Sequence, residues 1–225
     1  MSRVVRQVLL LVAKDLRIEA RSRQTLGLVV ILGLLIVVVL GLGLGAQENV
    51  AGFSATAVLW VAYLFAGVLC FEKTMAVERT DGAMAALLLA PIDRGVIYAA
   101  KLLTNLALTA AVALVVTPAG VLFFSFDLSA SPLVFVLVVG ISMVGFAAVG
   151  TLFASVVSSS RLQGGLLALM IFPVSLPLVI VSTRLLNRIF RDGQGLDGQT
   201  LGILIAFDVI FIATSWIVFD CVLEA

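Results

Sequence analysis

The stretch Thr25-Leu26-Gly27-Leu28-Val29-Val30-Ile31-Leu32-Gly33-Leu34-Leu35-Ile36-Val37-Val38-Val39-Leu40-Gly41-Leu42-Gly43-Leu44 holds no charge and, after its first residue, no side chain that can hydrogen-bond. An α-helix rises about 1.5 Å per residue and a bilayer's hydrocarbon core is about 30 Å thick, so about 20 apolar residues cross it. This run has that length. In lipid a chain segment must satisfy its own N–H and C=O groups, which makes a helix the default. Working outward, five more runs of the same character stand near residues 53–71, 102–124, 133–157, 166–181 and 201–222. The expected fold is an all-α integral membrane protein, one transmembrane domain over 1–225 with six transmembrane helices. Composition points the same way: 62% hydrophobic and 12% charged residues, with a mean hydropathy of +1.25, lie far from soluble averages.

Charge sets the expected orientation, because Lys and Arg accumulate on the cytosolic side. The first run is preceded by Arg3, Arg6, Lys14, Arg17, Arg21 and Arg23. The segment between the second and third runs carries Lys73, Arg79, Arg94 and Lys101, and Arg161 follows the fourth. These are eleven of the chain's 14 basic residues, and they place both termini in the cytosol. Arg184, Arg188 and Arg191 are the exception on the outer side. Anionic headgroups, Asp192 and Asp197, a partner, or simple solvation are the open alternatives there.

Within residues 1–23, Val5, Val8, Leu9, Val12 and Leu16 recur at helical spacing while Arg3, Arg6, Lys14, Arg17 and Arg21 occupy other faces. That pattern predicts an amphipathic helix in the headgroup layer, with a basic tail as the alternative. Lys14 and Asp15 interrupt the apolar residues too early for a signal peptide. Between Phe71 and Lys101 lies the one long polar segment among the runs. Gly82 lets the backbone turn, Ala83 to Ala90 are strong helix formers, and Pro91 stops the helix. A short cytosolic helix between spans two and three is expected, with Met84, Leu87 and Leu88 to grip an apolar cleft and Glu78, Arg79, Asp81, Asp93 and Arg94 around its ends. A loop helix packed on neighbouring spans is the alternative.

The spacing Glu78, Gly82, Leu87, Pro91 resembles the first cytosolic loop of ABC-2-type export permeases, in which this coupling helix docks into an ATPase. Three further stretches make the chain similar to the CcmB family within that group, over about residues 8 to 222. They are Lys14-Asp15-Leu16-Arg17-Ile18-Glu19 with Arg21, Tyr98-Ala99-Ala100-Lys101, and Arg161-Leu162-Gln163-Gly164-Gly165-Leu166-Leu167-Ala168-Leu169 with Pro173 and Pro177. The resemblance implies a permease subunit of the haem exporter of cytochrome c maturation, coupled through Glu78, Arg79, Asp81, Gly82, Met84, Leu87 and Pro91 to a separate ATPase. It implies ATP on that CcmA-like subunit, haem handled by a CcmC-like membrane protein, a CcmD-like small subunit, a CcmE-like haem chaperone released on the outer face, and a homodimer in membrane lipid. A generic permease exporting a lipid or small amphiphile and a non-transporting scaffold are the alternatives. Met84-Ala85 stands where such loops carry Leu-Glu, so one acidic contact of the family pattern is missing.

Inside the runs, a carboxylate costs roughly 2.5–3.5 kcal/mol at a helix centre on insertion scales, so Asp208 is expected to face the protein interior. Asn105, Ser142, Thr183 and Arg184 are its candidate partners, and a protonated helix contact is the alternative. Pro173 and Pro177 share a face and each removes a backbone hydrogen bond, which predicts a bend facing a packed core or a pathway. Gly41 with Gly45, and Gly140, Gly145 and Gly150, mark places where helices can approach, with the first and fifth runs as the expected self-association faces.

The chain contains no histidine, which removes the commonest metal and haem ligand and the commonest general base. No phosphate-cradling GxxxxGK[ST] motif occurs, so ATPase activity must come from elsewhere. No catalytic residue, metal, cofactor held by this chain or nucleic-acid partner is expected. Cys70 and Cys221, without CxxC spacing, read as reduced structural thiols.

Overall fold

The structure, a computed structural model, describes residues 3–22, 24–44, 48–80, 93–124, 128, 131–159 and 165–222. These form seven helices: α1 (Arg3–Ser22), α2 (Gln24–Leu44), α3 (Glu48–Thr80), α4 (Arg94–Phe124), α5 (Pro132–Ser159), α6 (Leu166–Phe190) and α7 (Gly198–Val222). The six from α2 to α7 are each long and apolar enough to cross a membrane.

Two helices form the centre. In α3 and α5, 72% and 61% of the apolar span is buried within the chain, against 17% to 33% in the other four. A helix that is apolar on every side belongs in an interior, whether of protein or of lipid. The choice between the two falls to small residues. On α3, Gly67 leaves room for the Phe146 ring of α5; a Cβ there would sit 2.3 Å from Phe146 Cε1. On α5, Gly150 receives Phe71 of α3, with a Cβ only 2.0 Å from its Cε2. The two rings meet at 5.1 Å between centroids. Without a water-driven hydrophobic force between helices in lipid, such close packing is the main source of helix affinity.

Around this pair α2 and α4 pack on one side, and α6 and α7 on the other. Gly41 faces Phe123 of α4, its notional Cβ 3.2 Å from Phe123 Cβ, so that glycine serves packing inside the chain rather than self-association. Helix α1 lies against α4, leaving Val4, Val5, Leu9 and Leu10 exposed as an apolar strip outside the bundle.

Three boundaries differ from the sequence expectation. Helix α3 continues past Phe71 to Thr80, so Glu72 and Lys73 are helical. Helix α4 begins at Arg94, which makes Tyr98-Ala99-Ala100-Lys101 helical rather than a loop exit, and α6 runs on to Phe190 through Arg184 and Arg188. The early start of α4 has a local cause. Asp93 caps it, its Oδ1 accepting the Gly95 amide at 3.2 Å and its carbonyl accepting the Val96 amide at 3.0 Å.

Pro173 and Pro177 also depart from expectation. Both lie inside α6 without ending it, and both are exposed, so their shared face looks away from the bundle instead of toward a packed core or pathway.

Candidate functional site

The expected coupling segment has two roots, α3 and α4. Glu78 and Arg79 belong to the last turn of α3, while Asp81, Gly82, Met84, Leu87 and Pro91 lie outside the described residues, as does the expected coupling helix itself. What the structure gives in detail is how the two roots are held. On α4, Lys101, Asn105 and Thr109 follow one another at four-residue steps, which stacks them on one face, and all three are buried.

Lys101 Nζ lies 2.8 Å from Asp15 Oδ2 of α1, with side-chain exposures of 4% and 8%. One turn deeper, Thr74 Oγ1 of α3 donates to Asn105 Oδ1 at 2.8 Å, and Asn105 Nδ2 donates to Thr151 Oγ1 of α5 at 2.9 Å. Asn105 thus spends both ends of its amide joining three helices, which is how a buried amide avoids the cost of an unmade hydrogen bond. Glu19, four residues after Asp15, accepts the Leu26 amide at 2.8 Å and caps the start of α2. The two acids of the Lys14–Glu19 stretch therefore fasten α1 to α4 and to α2. Beside them opens a cleft lined by Asp15, Ile18, Glu19, Lys73, Thr74 and Val77.

The same end of the bundle carries an aromatic group. Tyr98 of α4 packs edge-on to Trp216 and tilted against Phe219, both of α7, at 6.1 and 5.2 Å. Gly95 permits this, since a Cβ there would come within 2.4 Å of the Trp216 ring.

Asp208 lies on α7 and is 7% exposed. None of the four candidate partners reaches it: Asn105 is occupied as described, Ser142 donates back to the Val138 carbonyl at 2.9 Å, Arg184 is exposed, and Thr183 Oγ1 is itself buried without a partner among the described residues. Asp208 Oδ1 also lacks a hydrogen-bond partner among them. Its carboxyl rests on the backbone of Gly145 in α5, where a Cβ would be 2.1 Å from Oδ1. Glycine at 145 is what allows an acid to be accommodated between two tightly packed helices.

At the opposite end, α6 is fixed to α3. Trp60 Nε1 donates to Ser182 Oγ at 3.1 Å and Thr56 Oγ1 to Asn187 Oδ1 at 2.8 Å. Asp197 caps α7, accepting the Gln199 amide at 3.1 Å and the Thr200 hydroxyl, and it meets Arg188 at 3.3 Å. Of the alternatives for Arg184, Arg188 and Arg191, pairing with Asp197 is realised for Arg188. The Thr200 hydroxyl, then the Gln199 amide, hold the Asp197 carboxyl below the usual carboxylate range.

An amphipathic first helix, six long apolar helices and a polar clamp at the roots of one connection define a multi-pass, all-α membrane protein. The chain belongs to the CcmB family, whose model matches residues 6–223. It is 25% identical over 197 residues to Heme exporter protein B of Paracoccus denitrificans, covering 87% of this chain and 88% of that one. It is 28% identical over 95 residues to Heme exporter protein B of Rhodobacter capsulatus, covering 42% of this chain and 44% of that one.

Proposed function

We propose that this chain is the permease subunit of an ABC-type complex for cytochrome c biogenesis, in a bacterial inner membrane with both termini cytosolic. ATP hydrolysis by a separate CcmA-like subunit drives haem export or release of a haem-loaded, CcmE-like chaperone on the periplasmic face. CcmC-like and CcmD-like subunits and a second copy of the chain complete the assembly. Family membership over nearly the whole chain supports the class, and the name of its relatives, Heme exporter protein B, supports haem as the cargo handled by the complex.

One observation carries the coupling role. The roots of the connection at residues 81–92 are tied, through Thr74, Asn105 and Thr151, to the central helix α5, and through Lys101 and Asp15 to α1. A force applied by a partner to the ends of α3 and α4 therefore meets the centre of the bundle directly. Haem would be handled by the partners, since a chain without histidine lacks the commonest haem ligand. A haem absorption band from the purified subunit alone, lost on replacing either cysteine, would contradict that part.

The test is affinity purification in mild detergent with the partners coexpressed. Exchanging Glu78 for Arg and Arg79 for Glu is expected to detach or uncouple the ATPase while membrane insertion persists. Unchanged ATPase association together with unchanged coupled turnover refutes the coupling role.

A further inference from the structure

The arginines of α6 take no part in the coupling scheme. Trp216, near the C-terminal end of α7, lies on Gly95 in the first turn of α4, so the start of α7 and the end of α6 are at the far end of the bundle from the 81–92 connection. There the inner face of α6 is committed to α3 through Ser182 and Asn187. Arg184, Arg188 and Arg191 are turned outward and exposed. Helical spacing sets them in line with exposed Leu176, Pro177 and Ile180 on the same face.

Depth distinguishes this from an ordinary basic loop. Arg184 stands 18 residues beyond Leu166, the first residue of α6, which is about 27 Å along the helix and close to the thickness of a hydrocarbon core. With Leu166 at one edge of the hydrocarbon core, Arg184 would stand at the other, and Arg191 two turns further out. Arg188 is steadied by Asp197, itself fixed as the cap of α7. Three exposed guanidinium groups on one face above a strip of apolar side chains match an amphiphile with an anionic head. Guanidinium binds phosphate oxygens in pairs, and long basic side chains reach from apolar depth to the interface.

We infer that Arg184, Arg188 and Arg191 form a binding site for an anionic phospholipid, its phosphate on the guanidinium groups and an acyl chain along Leu176, Pro177 and Ile180. The site does not depend on the coupling role proposed above. It is tested with the full chain in mild detergent, by native mass spectrometry against added phosphatidylglycerol, phosphatidylcholine or inorganic phosphate. Phosphatidylglycerol is expected to bind more tightly than phosphatidylcholine. Arg184→Gln and Arg191→Gln should each weaken its binding about fivefold, at roughly 1 kcal/mol per basic residue. Arg184→Lys should retain most of the affinity, and the exposed position of all these residues leaves the fold intact, which a matching size-exclusion profile checks. Equal binding of the two lipids, or glutamine variants that bind phosphatidylglycerol as the parent does, overturns the inference. So does full competition by millimolar inorganic phosphate, which would identify a soluble-anion site, or an acidic segment of a copurified subunit crosslinking to these arginines in place of lipid.

Discussion

Replacing Lys101 by Met removes the charge from a buried pair while keeping the length of the side chain. Lys101 and Asp15 approach to 2.8 Å with side-chain exposures of 4% and 8%, so neither charge has bulk water to turn to. Removing one partner of such a pair typically costs about 3–5 kcal/mol, because the other stays buried and uncompensated. For Lys101→Met the orphan is Asp15, which keeps Lys14 at 3.1 Å as partial compensation; that places the expected loss near the lower end, about 3 kcal/mol. Asp15→Asn takes from Lys101 the carboxylate at 2.8 Å, and a loss within the same range, about 3–5 kcal/mol, is expected. The double variant leaves no buried charge, and its loss should fall to about 2 kcal/mol or less, a coupling of several kcal/mol. Equilibrium unfolding in mixed micelles, followed by circular dichroism, gives the four corners of the cycle. Additive losses, or a Lys101→Met loss under about 1 kcal/mol, would refute the claim that this pair fastens α1 to α4.

Other consequences are narrower. Gly150→Ala forces a Cβ to within 2.0 Å of the Phe71 ring, and overpacking of that kind costs about 1–3 kcal/mol in the same unfolding measurement; Phe71→Leu in the same chain should recover part of it. Gly145→Ala meets Asp208 Oδ1 at 2.1 Å and Leu178 Cδ1 at 2.9 Å and is expected to destabilise by a similar ~1–3 kcal/mol, a loss partly recovered by Asp208→Ala and unaltered if the carboxyl does not rest on α5. Asp197, held below the usual carboxylate range by Thr200 and Gln199, contributes stability that is present above the ordinary carboxylate pKa and is lost as the pH falls through its own lower value. Hydrogen-exchange protection at the first turn of α7, taken relative to the intrinsic exchange rate at each pH, should therefore fall on acidification in the parent and show a flatter pH response in Asp197→Asn; identical pH responses would remove the capping role.

The six spans are legible in the sequence because twenty uninterrupted apolar residues have few alternatives in a bilayer. The helix ends are less so. Charged residues from Glu72 and Lys73 onward read as a departure from the membrane, yet α3 runs through them, and Lys101 is buried because Asp15, 86 residues away in the chain, comes to meet it. No local pattern announces that encounter. The start of α4 did carry a signal, an aspartate ahead of a helix-forming run, but it is masked by the polar residues around it. Pro173 and Pro177 show the limit of periodicity in another way: a four-residue step fixes that two residues share a face, and in an apolar helix nothing fixes whether that face looks in or out. Asn105 is recognisable as a polar residue within a span, while its partners Thr74 and Thr151 come from helices whose relative rotation only packing decides.

The exchanged phenylalanines of α3 and α5 have a mechanical consequence. Each ring occupies the gap that a missing side chain leaves on the other helix, and the two exchanges are adjacent, Gly67 with Phe71 and Phe146 with Gly150. Sliding one axis past the other by a single residue, about 1.5 Å, would move both rings off their gaps at once. The pair is keyed, and behaves as one spindle. A relative motion that keeps both rings seated is then a swing of the less buried helices about that spindle, with the Thr74–Asn105–Thr151 chain joining α4 to it.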